Sequence, residues 1–311
     1  MKLATKTWAR QGSLGYALRS GAGRRGRVAL FGWFLLLLCG GLFIAPANAE
    51  LILSDNNAEV KIDPLSDMGM DEWKVDGKNY LYQQWFWYRI GDTDAETSLN
   101  ALPHTTPVVS DSNGDGNDDT ASVTYTDPRG LSIAITYTLT GGEAQSGYSS
   151  VNESINLTNT NPRSSTPLGV HFFQYSDFDL TPKASADDTV TFDSTYHVAQ
   201  TAPGIGIGEA VVLPFPSRHE PGIYHATLDK LTDAGPSDLA RTTVDLTDTA
   251  TGDATWAFQW DLTLRGKQTV IVSKVKQLQI APETVPEPST LALVFAGIAA
   301  VVCAWRRKSA Q

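Results

Sequence analysis

Ala254-Thr255-Trp256-Ala257-Phe258-Gln259-Trp260-Asp261-Leu262-Thr263-Leu264 alternates bulky apolar side chains with smaller or polar ones. Trp256, Phe258, Trp260, Leu262 and Leu264 fall on one face of an extended chain. Ala257, Gln259, Asp261 and Thr263 fall on the other. Side chains of a strand repeat every second residue, so the pattern predicts a β-strand with an apolar face. The same period runs through Leu131–Leu139, where Leu131, Ile133, Ile135, Tyr137 and Leu139 oppose Ser132, Ala134, Thr136 and Thr138. Val151, Ile155 and Leu157 alternate with Asn152, Ser154, Asn156 and Thr158. One-sided alternation is the mark of antiparallel sheets with one buried face.

Working outward, strands are expected at Asn79–Ile90, Thr105–Ser110, Thr120–Thr126, Leu168–Ser176, Thr189–Phe192, Ile205–Leu213, Gly222–Leu228, Arg241–Leu246 and Gln268–Ile280. Turn residues separate them. Asp127-Pro128-Arg129-Gly130 fits a type I turn, and Arg265-Gly266-Lys267 is expected to close a hairpin between the last two strands. Between the two terminal apolar segments no stretch predicts an amphipathic helix of three turns, and no period of 20–50 residues marks a propeller or solenoid. The expected fold is all-β: an antiparallel β-sandwich, jelly-roll-like, over residues 50–281.

Both ends of the chain carry targeting patterns. Val28 to Ile44 is apolar, follows Arg24, Arg25 and Arg27, and is ended by Pro46; Ala47-Asn48-Ala49 is an A-x-A cleavage site. This predicts a signal peptide over residues 1–49, cut by signal peptidase before Glu50. The Leu-rich core suits the general export route better than the twin-arginine one. At the other end Val285-Pro286-Glu287-Pro288-Ser289-Thr290 precedes an apolar run from Leu291 to Trp305, then Arg306-Arg307-Lys308. Fifteen helical residues span roughly 22 Å at ~1.5 Å each, short of the ~30 Å hydrocarbon core. This segment and the signal peptide are expected to be helical, and the basic tail to remain cytoplasmic.

The order of these three parts resembles the PEP-CTERM sorting tail of Gram-negative bacteria that make exopolysaccharide. The resemblance covers residues 282–311 only: a spacer, the motif at 285–290, a transmembrane segment at 291–305 and basic residues at 306–308. It implies an exosortase that reads and cuts the tail, with Val285, Pro286, Glu287, Pro288, Arg306 and Arg307 as the recognised features. It further implies transient residence in the inner membrane, then delivery to the cell surface or extracellular matrix.

The chain has two cysteines, Cys39 and Cys303, and both lie in the targeting segments, so no disulfide is expected between them. Seven of the 24 basic residues precede Glu50 and three follow Trp305. Of the 34 acids only Glu287 lies beyond Pro286, leaving Glu50–Pro286 with a net charge of −19. Such a charge excludes nucleic acid and anionic lipid as expected partners, and it favours divalent cations.

Asp111-Ser112-Asn113-Gly114-Asp115-Gly116-Asn117-Asp118-Asp119 puts oxygen side chains at loop positions 1, 3, 5, 7 and 9, with Gly116 at the sharp-turn position 6. Crowded carboxylates and hard oxygens suit Ca²⁺. Position 12 is Ser122 rather than a bidentate Glu, and strands rather than helices flank the loop. It resembles the calcium loops of integrin-type FG-GAP repeats. That likeness implies Asp111, Asn113, Asp115 and Asp119 as side-chain ligands, Asn117 through its carbonyl, and a structural Ca²⁺. The alternative is a polar hairpin without an ion.

Weaker constellations remain. His171, Phe173, Tyr175, Asp177 and Asp179 share one face of an expected strand, fit either for acid–base or metal chemistry or for a solvent edge. Two carboxylates two residues apart on a strand stand about 7 Å apart by rise alone. Tyr80, Tyr82, Trp85, Phe86, Trp87 and Tyr88 form an aromatic cluster suited to core packing or to stacking on sugar rings. Gly204-Ile205-Gly206-Ile207-Gly208 lacks the helix a phosphate loop needs. The sequence favours a non-enzymatic secreted surface or matrix protein with a calcium-stabilised sandwich. A carbohydrate-binding module of the exopolysaccharide matrix is the alternative, and a polysaccharide-active enzyme the third reading.

Overall fold

The computed structural model describes residues 50–181, 188–244 and 248–281. The expected export segment, with its cleavage site, and the whole sorting tail lie outside these residues. Among the described residues no helix is long and apolar enough to cross a membrane.

In chain order the strands are β1 (Leu51–Asp55), β2 (Ala58–Asp63), β3 (Gly69–Val75), β4 (Lys78–Asn79), β5 (Gln83–Ile90), β6 (Thr97–Ser98), β7 (Val108–Ser110), β8 (Thr120–Asp127) and β9 (Leu131–Gly141). They continue as β10 (Tyr148–Asn159), β11 (Leu168–Asp177), β12 (Asp188–Ser194), β13 (His197–Ala202), β14 (Ile205–Leu213), β15 (Arg218–Ile223), β16 (Thr249–Gly252), β17 (Ala254–Leu264) and β18 (Thr269–Ile280). The α-helix among the described residues, α1 (Ala226–Thr232), is two turns long.

The strands form two sheets of a β-sandwich, antiparallel but for a short parallel contact of β3 with β5. The first has the order β1-β2-β3-β5-β11-β17-β15, with β4 on β3 and β6 on β5. The second runs β16-β12-β13-β14-β18-β10-β9-β8-β7. Period-two burial is clean in β9, where Leu131, Ile133, Ile135, Tyr137 and Leu139 are buried as the sequence predicts. The sheets meet through aromatic and polar contacts. Phe258 packs edge-on against Phe192 at 5.5 Å, and Trp73 Nε1 donates to Ser149 Oγ at 3.1 Å.

A charged cluster lies inside this apolar interior. Glu153 faces Lys274 across β10 and β18, and Glu209 faces Lys276 across β14 and β18. All four side chains are buried. Lys274 pairs with Glu153 and lies 3.2 Å from Glu209; Lys276 lies 2.7 Å from Glu153. Glu209 Oε2 also accepts from Trp256 Nε1 at 2.8 Å and from Gln174 Nε2 at 2.7 Å, both on the opposite sheet. Burial works against the Glu209 charge, but the two ammonium groups outweigh it and hold the carboxyl below its usual range. Charges inside a low-dielectric core persist when they are paired and hydrogen-bonded.

Four expectations need correction. Arg265-Gly266-Lys267 does not close a hairpin, because β17 pairs with β11 and β15 while β18 pairs with β10 and β14; the turn carries the chain from one sheet to the other. Asn79–Ile90 is broken between β4 and β5, where Asn79 spends its side chain on the Leu81 backbone. Gly222–Leu228 is a strand only to Ile223. His225 takes the left-handed region at φ 65°, and α1 follows, held by Thr227 Oγ1 donating to Glu220 Oε1 at 2.9 Å. Of Arg241–Leu246, Arg241 is an isolated bridge to His219 rather than part of a strand, and residues 245–247 are outside the described part.

The centre of the first sheet also departs from one-sided alternation. Every residue from Ala254 to Trp260 is buried. The second face is covered by the segment after α1: Leu239 N donates to Gln259 Oε1 at 2.7 Å, and Arg89 Nη1 to the Ser237 carbonyl at 2.6 Å.

Candidate functional site: an acidic cleft at one end of the first sheet

β5, β11, β17 and β15 are neighbours and alternate in direction. The start of β5, the end of β11, the start of β17 and the end of β15 therefore meet at one end of the sheet. Each presents a residue there: Tyr82, Asp177 with Asp179, Asp253 and Tyr224. Backbone bonds fix the arrangement. Tyr82 N donates to the Asp177 carbonyl at 3.0 Å, and Tyr224 N to the Asp253 carbonyl at 2.8 Å. These five residues line a cavity of about 190 Å³. A second hollow of about 370 Å³, lined by Asp71, Lys78 and Asn79 among others, shares Tyr82 and Asp179 with it.

Carboxylate oxygens of Asp177, Asp179 and Asp253 lie within 4.8 Å of one another. Asp177 is 2% exposed. Its Oδ2 accepts from Tyr175 Oη at 3.3 Å, while Oδ1 has no hydrogen-bond partner. Burial, then the charges of Asp253 and Asp179, push the Asp177 carboxyl up to about 7. Burial and Asp253 raise Asp179 as well. Among the described residues no Lys, Arg or His forms an ion pair with any of the three. The rings of Tyr82 and Tyr224 line the same cavity, packed edge to face at 6.5 Å, and are 42% and 45% exposed.

The expected His171-to-Asp179 face thus divides. Asp177 and Asp179 do come together, joined by Asp253, which the sequence pattern did not single out. His171 belongs to another network: Nδ1 contacts Asp261 at 2.7 Å and Nε2 contacts Asp92 at 3.1 Å. The hydrogen bond to Asp261 raises the His171 pKa against the opposing effect of burial. Arg89 and Arg218 reach Asp238 and Asp261 in the same network, so its acids are paired. Of the aromatic cluster, Tyr80, Trp85, Phe86, Trp87 and Tyr88 are core and only Tyr82 faces solvent. Gly204 turns the chain into β14, and Gly206 and Gly208 are strand residues rather than a phosphate cradle.

The Asp111–Asp119 loop joins β7 to β8 at the edge of the second sheet. Its oxygens serve its own backbone. Asp111 accepts from the Gly114 and Gly116 amides at 2.6 and 2.8 Å, Asn113 from Asp115, and Asp115 from Asn117. The Gly116 and Gly114 amides hold the Asp111 carboxyl below its usual range. Gly114 and Gly116 have φ of 83° and 96°, which L side chains avoid. Buried Asp119 accepts from Ser112 and Thr120. The donor set is all hard oxygen and fits Ca²⁺ in chemistry, with its acceptors shared among local amides and hydroxyls.

The fold is a two-sheet β-sandwich, and the solved structures that resemble it include a bacterial glucoamylase complexed with acarbose and a polysaccharide lyase. The first is 7% identical over 80% of this chain and 36% of that one, at a TM-score of 0.47. The second is 13% identical over 73% and 33%, at 0.41. The chain spans about a third of the length of each, and likeness at these scores assigns no activity. No curated protein matches the chain in sequence. A model of the PEP-CTERM protein-sorting motif matches residues 284–308. The chain therefore carries a PEP-CTERM sorting motif, which implies processing by an exosortase and a surface or extracellular destination.

Proposed function

We propose that this is a non-enzymatic surface or matrix protein whose sandwich binds polysaccharide at the acidic cleft. The observation that carries the reading is the exposed, edge-to-face pair Tyr82 and Tyr224, which lines one cavity with the three aspartates. Aromatic rings offer apolar faces to sugar C–H groups, and carboxylates accept from sugar hydroxyls. An exosortase-sorted protein of exopolysaccharide-making bacteria would meet such ligands in the matrix. A structural Ca²⁺ in the Asp111–Asp119 loop belongs to the same proposal, supported by its oxygen-only donor set.

The test is a titration of bacterial exopolysaccharides against the full chain. Tyr82→Ala or Tyr224→Ala is expected to weaken binding at least tenfold, about 1.4 kcal/mol. An absence of binding across the panel, or affinities untouched by both substitutions, sinks the reading. A polysaccharide-active enzyme is the second reading. It is favoured by one observation: a carboxyl held near neutral pH beside two others, as acid–base catalysis requires. New reducing ends formed by the parent and not by Asp177→Asn would decide for it.

A further inference from the structure

Among the described residues the three aspartates have no positive partner, although the fold supplies one to acids elsewhere in its interior. Asp177 is the sharpest case. It is 2% exposed, faces the cavity, and leaves Oδ1 without a donor. A buried carboxylate oxygen with no partner costs free energy unless a ligand completes it. A cation would complete all three acids at once. Ca²⁺ binds oxygen at ~2.3–2.6 Å, so two ligands of one ion stand up to ~4.6–5.2 Å apart. Mg²⁺, at ~2.0–2.1 Å, allows only ~4.2 Å and keeps its waters. The acids lie within 4.8 Å of one another, close enough for one Ca²⁺ to bridge all three. Three carboxylates leave a six- to eight-coordinate ion with open positions, and these face the cavity that the two exposed tyrosines also line.

We propose that Asp177, Asp179 and Asp253 hold one Ca²⁺ at the floor of the cleft, and that its open positions take neighbouring hydroxyls of the polysaccharide. The bridging role rests on the carbohydrate reading; the ion site does not.

The experiment is calorimetric titration of the chelator-stripped full chain with CaCl₂ alone. Asp177→Asn is expected to bind one ion fewer than the parent, and Asp253→Asn likewise. Asp115→Ala, in the separate loop, keeps that equivalent. If Asp177→Asn fails to fold by circular dichroism, Asp253→Asn, at a half-buried position, decides. Equal ion counts in the parent and both cleft variants overturn the site, as does loss of the only equivalent in Asp115→Ala. A second titration adds polysaccharide with and without chelator; chelation is expected to weaken binding at least tenfold. Polysaccharide affinity unchanged by chelator overturns the bridging role. An ion equivalent lost in the cleft variants with no polysaccharide bound supports the ion site and refutes the carbohydrate reading.

Discussion

Two groups of charges withdrawn wholly or partly from water are settled in opposite ways in this protein. Glu153, Glu209, Lys274 and Lys276, between the sheets, are two acids against two bases, with Trp256 and Gln174 filling the remaining acceptor. Asp177, Asp179 and Asp253, at the sheet end, are three acids with no base paired to them among the described residues. The first group is electrically closed and has no route to solvent, so its role is structural. The second is open on both counts, which is what a ligand site requires. Burial alone did not separate them, because Asp177 is as buried as Lys274; the balance of charge did.

The largest expected effect comes from unbalancing the closed group. Lys274→Met leaves two buried glutamates with one cation and is expected to cost about 3–5 kcal/mol in urea unfolding. Replacing both members of the Glu153/Lys274 pair by apolar residues of similar volume is expected to restore most of that. If the single substitution leaves the midpoint where it was, the cluster is not a balanced unit and the contrast fails.

Next is the open group. Ca²⁺ at a hundred times its dissociation constant is expected to stabilise the parent by about 2.7 kcal/mol through mass action. Asp177→Asn should lose that gain. It should also melt higher than the parent in chelator, because one of three mutually repelling carboxylates is gone. A variant that melts lower in chelator and still responds to Ca²⁺ would move the acids into the structural class.

The Asp111–Asp119 loop lies between the extremes: acidic, but satisfied by its own amides. Extracellular calcium modules bind at about 10⁻⁴–10⁻³ M, so 1 mM Ca²⁺ is expected to add only about 0.4–1.4 kcal/mol there. Asp115→Ala should remove that increment from the thermal midpoint and leave the larger cleft response intact. A midpoint shift identical in parent and variant would place no ion in the loop.

The smallest effect belongs to His171, a partly exposed base among paired acids. Its folded pKa is raised by Asp261, so its contribution is fully present below the unfolded value near ~6.5 and is lost as pH rises through the folded value. For a partly solvated pair the amplitude is about 1 kcal/mol or less. His171→Gln should flatten the fall in stability above neutrality; a parent that gains stability over that interval contradicts the assigned sign.

The sandwich was legible because period two is a strong signal in Leu131–Leu139 and Ala254–Leu264. Pairing was not. A short turn such as Arg265-Gly266-Lys267 is as compatible with changing sheets as with reversing within one, and only tertiary contact decides. Lys274 and Lys276 occupy inward positions of β18, which a polar-out pattern assigns to solvent. Asp177 and Asp179 were visible as a shared face. Asp253 was hidden in an ordinary turn, and Tyr224 within a run that read as strand until His225 broke it. Two of the five cleft residues thus came from strand ends brought together by sheet order, which local sequence does not encode.

β18 sits in the middle of the second sheet, hydrogen-bonded to β14 on one side and β10 on the other, and the chain leaves its Ile280 end toward the sorting tail. Tension applied through that tail would enter the sandwich along β18. Its direction would be parallel to the strand, so both ladders would be sheared together instead of unzipped one bond at a time. An edge strand such as β7 or β16 has a single ladder to lose. Pulling single molecules by the C-terminus is expected to give one high rupture force with no early release of a few residues, so that a tug from a membrane or a matrix fibre meets a central strand stitched on both sides.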